Sequence, residues 1–475
     1  MELLDTKIDV SVLQLLTAHQ AWHFQVVPFQ KEGNCIKVFI CRESIERDDS
    51  QKKEIEILLN KKVDFIEIEE HLLKQLLNKY YRKLLGSSGA RVLDNISFNS
   101  SENIEEIILE SKLLNSSDIH FEPYENEARI RFRIDGKLIV KYSIPIKNYP
   151  SVVNRIKILS ELDISERRLP QDGRIQFRKF EEDFDIRVSC LPTMYGEKLV
   201  LRILNRNKAD VDLNLLGMNG SQISIYKEVI NSHSGIILIS GPTGSGKTTT
   251  LYATLKQLNK SDNNILTVED PIEYYLKGIN QVQLKEEIGL TFPVALKSFL
   301  RQDPDIIMLG EIRDTETAEM AFRASLTGHL VFSTVHTNSA WGIIVRLLNM
   351  GIPMYLINST IKMVIAQRLV RLLCSNCKEK TDFNIDFKKD YPLPKHVYKA
   401  KGCPDCHYTG FKGRKAIYEI IKIDNEVRKA LSLSLDRPDE LLEKKGVSTL
   451  SQSAYRLFQE GATSFSEISS MLNEE

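Results

Sequence analysis

Residues 129–140 read RIRFRIDGKLIV. Apolar Ile130, Phe132 and Ile134 alternate with Arg129, Arg131 and Arg133, which predicts a strand with one face inward and arginines on the other. Asp135-Gly136 then predicts a hairpin turn. FDIRVS repeats the device, with Phe184, Ile186 and Val188 inward and Arg187 outward, and LVLRIL sets Arg202 opposite Leu201 and Ile203. Further along, the alternation gives way to continuous apolar runs: GIILIS, NILTVED, DIIMLGE and HLVFSTVH. Runs of this kind, separated by helical stretches, predict strands buried on both faces of a largely parallel sheet covered by helices. Upstream, FQVVPF and IKVFICR predict short strands, and HLLKQLLNKYYRKLL has the apolar spacing of a helix.

These patterns divide the chain. Residues 1–98 predict a small α/β domain that closes on the Gly/Ser-rich stretch GSSGARVLDNISFNS. Residues 99–205 predict the arginine-bearing sheet, 206–216 a linker, and 217–370 the α/β domain of the parallel sheet. A cysteine-bearing insertion is expected over 371–415 and a charged, helical remainder over 416–475. The fold class expected is therefore multidomain α/β. A length of 475 residues agrees with roughly three domains at about 150 residues each. His19 and His23 stand four apart, but with no further ligand nearby they read as a surface or core pair.

Lys+Arg and Asp+Glu both number 64. This balance speaks against bulk nucleic-acid binding. No stretch approaches the about 18 uninterrupted apolar residues of a membrane span. The opening MELLDTKIDVSVLQLL has acidic residues early and no basic segment before an apolar core, so no signal peptide is expected, and a reducing cytosol is.

GPTGSGKTTT follows the strand GIILIS and opens the helical stretch TTTLYATLKQL. Gly241, Gly246, Lys247 and Thr248 fit G-x-x-x-x-G-K-[ST]. Glycines let a backbone wrap phosphate oxygens with its N–H groups inward, Lys247 reaches the β/γ-phosphates, and the Thr248 hydroxyl can ligate Mg²⁺. The nucleotide-binding residues expected are Gly241, Pro242, Thr243, Gly244, Ser245, Gly246, Lys247, Thr248 and Thr249. Hydrolysis also needs acidic residues at neighbouring strand ends. ILTVEDPIEY supplies Glu269, Asp270 and Glu273, and DIIMLGEIRD supplies Glu311, with Gly310 where many such strands carry Asp. GHLVFSTVHTNSA supplies His329 and His336, of which His336 is the candidate for sensing the γ-phosphate.

Seven cysteines are present; Cys35, Cys41 and Cys190 are scattered. Cys374-x-x-Cys377 and Cys403-x-x-Cys406 make two knuckles that can close on one tetrahedral ion, and soft thiolates in a reducing compartment favour zinc. Four sulfurs leave no open coordination position, so the expected role is structural.

The loop at 241–248, the acidic segment at 267–273, the glutamate strand at 306–313 and the histidine segment at 328–338 resemble the secretion ATPase superfamily in order and content. SSDIHFEP, LPQDGRI, GEKLVLRIL and GCPDCHYTGFKGRKAIYEI resemble its type II secretion and type IV pilus assembly branch. The resemblance covers about residues 100–430. It implies a RecA-like ATPase domain, a homohexamer, ATP with Mg²⁺, zinc in the cysteine insertion, and pseudopilus or pilus assembly at the inner membrane. It also implies, for residues 1–98, binding to a membrane-anchored protein with a cytoplasmic domain, and for the motor a polytopic platform protein in the inner membrane. Location would be cytoplasmic and peripheral at that membrane. Arg187 and Arg202 resemble the family's nucleotide-facing arginines, and Arg301, Arg313 and Arg414 match further ones. Lys297 stands where relatives commonly have arginine. Glu311 resembles the Walker B glutamate and Glu269 the glutamate of the acidic segment; the sequence leaves open which activates water. A pilus retraction motor and a zinc-bearing nucleic-acid translocase are the alternatives. The retraction relatives usually lack the cysteine insertion, and the neutral charge disfavours the translocase.

Overall fold

The computed structural model describes residues 101–179, 182–204, 212–381, 396–433 and 436–472 without a break. Before them it describes 8, 10–13, 15–16, 21, 24–33, 35–41, 55–56, 59, 61–80 and 91–92. Two compact units emerge. One holds residues 1–96 with 126–130 and 140–145; the other holds 97–125, 131–139 and 146–475.

In the first unit, strands β1 (Val26–Glu32), β2 (Cys35–Cys41) and β3 (Lys62–Ile68) form a sheet in that order, β1 antiparallel and β3 parallel to β2. The helix Glu70–Tyr80 buries Leu73, Leu76 and Leu77, the spacing that keeps one helical face against a core. Phe29 stacks on Phe39 with ring centroids 3.8 Å apart. Strand β4 (Arg91–Val92) lies within the stretch read as a linker. His19 and His23 lie outside the described residues.

A second run of strands opens with β5 (Asp118–Pro123), followed by β6 (Glu127–Ile134) and β7 (Lys137–Pro145), of which residues 127–130 and 140–145 belong to the first unit and the rest to the second. Residues Arg91 and Val92 of β4 pair in parallel with Tyr142 and Ser143 of β7. The β6–β7 turn is the one the sequence predicts: Asp135 and Gly136 both take positive φ, 47° and 85°, as a two-residue type I′ hairpin requires. Strands β8 (Gln171–Lys179), β9 (Glu182–Thr193) and β10 (Gly196–Leu204) follow, and β5-β10-β9-β8 pair antiparallel in that spatial order. Burial alternates along β6, β9 and β10 in phase with the apolar residues, so the arginines share the opposite face.

The large sheet is built from β11 (Gly235–Ser240), β12 (Ile265–Glu269), β13 (Asn280–Gln283), β14 (Ile306–Leu309), β15 (Leu330–Val335), β16 (Ile361–Leu373) and β19 (Phe411–Lys422). Its order is β13-β12-β14-β15-β11-β16-β19, parallel except for β19. β11, β12, β14 and β15 are buried at every position, which is why they read as unbroken apolar runs. One face packs Phe322, Ile343, Leu347, Tyr455 and Phe458; the other packs Tyr226, Leu251, Leu255 and Ile420. Between β16 and β19 the short strands β17 (Glu379–Thr381) and β18 (Val397–Lys399) pair antiparallel.

Two strands run across the expected boundaries. β16 continues past residue 370 to Leu373, and β19 spans residue 415. The cysteine module is therefore the far end of a long β16–β19 hairpin. The helical remainder begins only at Asn425, after a strand whose first half, FKGRK, looks polar because four of its positions face solvent. The last helices, Leu450–Gln459 and Phe465–Leu472, return to that hairpin. Glu467 receives two hydrogen bonds from Arg371 Nε, at 3.0 and 3.1 Å, and the Arg371 guanidinium lies over Phe411.

Candidate functional site

The loop after β11 delivers the chain into the helix Lys247–Leu258. Gly241, Gly244 and Gly246 all have φ between 79° and 149°. A Cβ on Gly241 would stand 2.5 Å from the Gln367 carbonyl oxygen and 2.6 Å from Ser245 Oγ; one on Gly246 would stand 2.9 Å from Gln367 Nε2. The two fingerprint glycines are thus required by β16 beneath them as well as by backbone conformation. Gln367 is buried and holds the loop with both ends of its amide. Its Nε2 donates to the Ser245 carbonyl at 2.9 Å, and its Oε1 accepts from Thr250 Oγ1 at 2.9 Å. Nothing local in the sequence marks this residue; only the β11–β16 register places it there.

The loop fits a polyphosphate. Ser245 Oγ is buried with no hydrogen-bond partner among the described residues, and Thr248 is exposed at the head of the helix. A helix N-terminus behind a glycine-rich turn favours an anion. Lys247 Nζ donates to the carbonyls of Gly241 at 2.7 Å and Pro242 at 3.1 Å. Burial pushes its pKa down, Glu311 opposes that, and Arg368 adds to it, so all three groups share one electrostatic neighbourhood. Arg368 also donates to the Asn338 carbonyl at 3.1 Å, tying β16 to the loop that follows His336.

Glu311 and Glu269, both at strand ends, have different surroundings. Glu311 accepts from Arg313 Nε at 2.7 Å and lies 3.1 Å from His336 Nε2. Burial alone would raise its pKa, but the hydrogen bond and charge of Arg313, with His336, outweigh that and hold it below the ordinary carboxylate value. Arg313 reaches Asp270 as well, at 3.7 Å. Glu269 is buried to 3% exposure. Its Oε1 accepts from Thr267 Oγ1 at 2.6 Å and Gln281 Nε2 at 3.1 Å, and its Oε2 accepts from the Tyr252 hydroxyl. Burial here prevails over these donors and raises its pKa.

The arginine face is a row set by register. Arg174 of β8 stands opposite Arg187 of β9, Arg187 opposite Arg202 of β10, and Arg202 opposite Asp118 of β5. Like charges opposite one another on a sheet repel, so three guanidiniums in one line suit an anion. Burial, with the charges of Arg174 and Arg202, lowers the Arg187 pKa against the pull of Glu273. Arg187 Nη2 donates to the Ile272 carbonyl at 2.5 Å and Nη1 lies 4.0 Å from Glu273. Arg202 Nε donates to Asp118 at 3.1 Å. Arg174 belongs to the row although its motif, LPQDGRI, gives no local sign of it.

The remaining predicted residues scatter. Arg414 lies 3.5 Å from Asp135, whose other oxygen accepts from the Gly413 N–H at 2.9 Å. Arg301 reaches Ser298 Oγ, at 3.5 Å, and Lys297 lies 4.0 Å from Glu316. His329 Nδ1 lies 2.8 Å from the Ala324 carbonyl, at the end of the helix Thr315–Leu326, away from the Glu311–His336 pair.

The sulfurs of Cys374, Cys377, Cys403 and Cys406 all lie within 4.8 Å of one another. Three separations are 3.8, 3.7 and 3.7 Å. A tetrahedron with Zn–S bonds of about 2.3 Å has edges of about 3.8 Å, so the donor set fits zinc in both chemistry and spacing. Cys406 Sγ also accepts backbone N–H bonds from Cys403 and Gly410, each at 3.2 Å, the outer-shell support a thiolate ligand needs.

The chain is similar to known proteins in sequence and in fold. The chain is 38% identical to the type IV pilus assembly ATPase PilB of Myxococcus xanthus over 98% of its own length and 88% of that protein. It is 42% identical to the putative type II secretion system protein E of Escherichia coli K12, over 86% and 82%. Among solved structures, the ATPase DotB of Legionella pneumophila matches with a TM-score of 0.62 at 21% identity, over 82% of this chain and all of that one. The pilus retraction motor PilT with bound ADP matches with a TM-score of 0.52 at 25% identity, over 77% and 95%. The family described as "Type II/IV secretion system protein" matches residues 98–470, and the chain belongs to that family.

Proposed function

We propose that this chain is an ATP-driven motor, working as a homohexamer, that powers assembly of a type II secretion pseudopilus or a type IV pilus at the inner membrane. ATPase activity follows from the family and from relatives named as assembly ATPases. The observation that carries the catalytic reading is the neighbourhood of Lys247, ionised Glu311 and His336 around a loop shaped for phosphate. Bound there, ATP would supply the phosphoanhydride bond whose cleavage drives the motor. Lys247 leaves the loop carbonyls for the β/γ-phosphates, and Thr248 offers its hydroxyl to Mg²⁺. Glu311, charged and the more open of the two glutamates, orders Mg²⁺ or the attacking water, with His336 on its second oxygen to report the γ-phosphate. Glu269, walled in by three donors, shapes the acidic segment. The row Arg174–Arg187–Arg202 meets phosphate charge from the facing sheet. The cysteine module holds zinc structurally at the end of the β16 hairpin that braces the P-loop.

Residues 1–98 would dock the motor on a membrane-anchored protein with a cytoplasmic domain, and a polytopic membrane platform would receive its work. No helix among the described residues is long and apolar enough to cross a membrane, in keeping with a peripheral cytoplasmic location. The test is to mix purified parental chain with Glu311→Gln chain and measure ATP turnover and sedimentation. A hexamer that works by cooperation between subunits loses more activity than the fraction of variant added. A chain that sediments as a monomer with Mg-ATP, or loses activity only in proportion, contradicts the motor reading.

A further inference from the structure

The peptide unit between Ile272 and Glu273 is gripped on both sides. Its carbonyl accepts from Arg187 Nη2 at 2.5 Å, and its N–H donates to the Tyr252 hydroxyl oxygen at 3.3 Å. Tyr252 in turn donates its own proton to Glu269. The donors therefore run in one direction: Arg187, the 272–273 peptide, Tyr252, Glu269. Hydrogen bonds aligned in this way polarise one another inside a low-dielectric interior. Tyr252 projects from the helix that begins at Lys247, and Arg187 from strand β9.

A tyrosine ring in this place needs no hydroxyl to fill its volume. It is buried to 1% exposure and meets Tyr274 edge-on with centroids 4.5 Å apart, contacts a phenylalanine would keep. The hydroxyl is a buried polar atom whose two partners are both parts of the acidic segment. Rotating the 272–273 peptide plane would break the Arg187 and Tyr252 bonds together.

We infer that Tyr252 is a positioning residue for hydrolysis: through the Ile272–Glu273 peptide its hydroxyl fixes the geometry between Arg187 and Glu269, so that the P-loop helix and the arginine row move as one device. The inference rests on the reading of Arg187 as a phosphate-facing arginine. Its partner groups are otherwise independent of the P-loop itself, so binding of ATP should survive its loss.

The full-length chain carrying Tyr252→Phe, Arg187→Ala or both tests this by steady-state ATP turnover. Tyr252→Phe should lower kcat by about 10-fold while KM for ATP stays within about 2-fold, since misplacing a catalytic arrangement spares ground-state binding. The double variant should be no slower than Arg187→Ala alone, because both changes open the same chain of bonds. Multiplying effects, or parental turnover in Tyr252→Phe beside an impaired Arg187→Ala, would overturn the inference and leave the Arg187 reading standing. Parental turnover in Arg187→Ala would remove the Arg187 reading and the inference with it. Hydrogen–deuterium exchange provides a second measurement that does not depend on turnover. The segment containing Glu273 should exchange faster in Tyr252→Phe and also in Arg187→Ala, which leaves the buried ring in place. Unchanged exchange in both variants overturns the inference.

Discussion

Glu269 and Glu311 close two adjoining parallel strand regions, and their environments push them in opposite directions. Glu269 is enclosed, with donors on both oxygens, and burial raises its pKa. Glu311 is bonded to an arginine and a histidine at a more open edge, and its pKa falls. Two carboxylates whose surroundings separate their pKa values are suited to different tasks. The difference lies in what each strand end faces. The end of β12 is covered by the P-loop helix through Tyr252, whereas Glu311, just beyond β14, opens toward Lys247.

The largest effects should come from the open side. Lys247→Ala removes the phosphate counter-charge and should leave turnover at background. Glu311→Gln should retain nucleotide binding and lose at least about 100-fold in kcat, because an amide neither accepts a proton nor offers full charge to Mg²⁺. Turnover beside an equilibrium nucleotide-binding assay separates the two. Glu269→Gln, tested in parallel, should cost less. A ranking with Glu269→Gln the slower variant would reverse the assignment of roles.

Next in size is the arginine row. Arg202→Ala should cut turnover by about 100-fold or more, as loss of an arginine that neutralises transferring phosphate does. Arg131→Ala should stay within about 3-fold of parental turnover, because Arg131 already serves Glu122 in a two-point contact at 2.6 and 2.8 Å. Its penalty should appear in stability instead: Glu122 is buried and would be left with Lys198, at 3.1 Å, and the more distant His120, at 3.7 Å. Turnover and melting temperature, measured together, should thus respond in opposite order for these two arginines. Equal small effects on turnover would mean that the row is a solvated surface.

Removal of metal should be milder for chemistry. Purified protein should carry about one zinc per chain. Cys403→Ser should lower metal content and loosen the β16–β19 hairpin end while the P-loop, braced further back along β16 at Gln367, keeps its nucleotide. Metal analysis and limited proteolysis of the variant check this. Protein prepared without chelator yet free of zinc would contradict the site.

What the sequence could show follows the range of each interaction. Alternation in RIRFRIDG and unbroken runs such as GIILIS are local consequences of one buried face or two, and both kinds of strand formed where expected. The P-loop and the two cysteine knuckles are local as well. The arginine row is not, because Arg174, Arg187 and Arg202 meet only through the pairing of three strands. Gln367 was invisible for the same reason: its task is defined by a loop more than a hundred residues earlier. Strand β19 was divided between the expected cysteine insertion and the expected helical remainder, because its exposed charged half masks the buried AIYEII half that joins the sheet. The burial of Glu269 could not be read either, since Thr267 alone among its three donors is near in sequence.

The smallest expected effect is thermodynamic, and it is the most direct test of the contrast between the two glutamates. Glu311 binds its proton less tightly in the folded chain than the ordinary value of 4.5. Its charge therefore contributes stability that is present above that value and lost as pH falls through the lowered one. Glu269 binds its proton more tightly in the folded chain. Its contribution is present below 4.5 and lost as pH rises through the raised value. Substitution by glutamine removes the titration in each case. The stability advantage of the parental chain over Glu311→Gln should therefore widen as pH rises from acid toward neutral. Its advantage over Glu269→Gln should instead narrow as pH rises above 4.5, because ionising Glu269 in its enclosed site costs the parent and not the variant. Melting temperatures of the three proteins across a series from about pH 2.5 to pH 7 give the two slopes, that of Glu311 below 4.5 and that of Glu269 above it. Opposite slopes sustain the division between an enclosed and an open carboxylate. Slopes of the same sign would show that both glutamates ionise alike, and the structural basis for giving them different tasks would be gone.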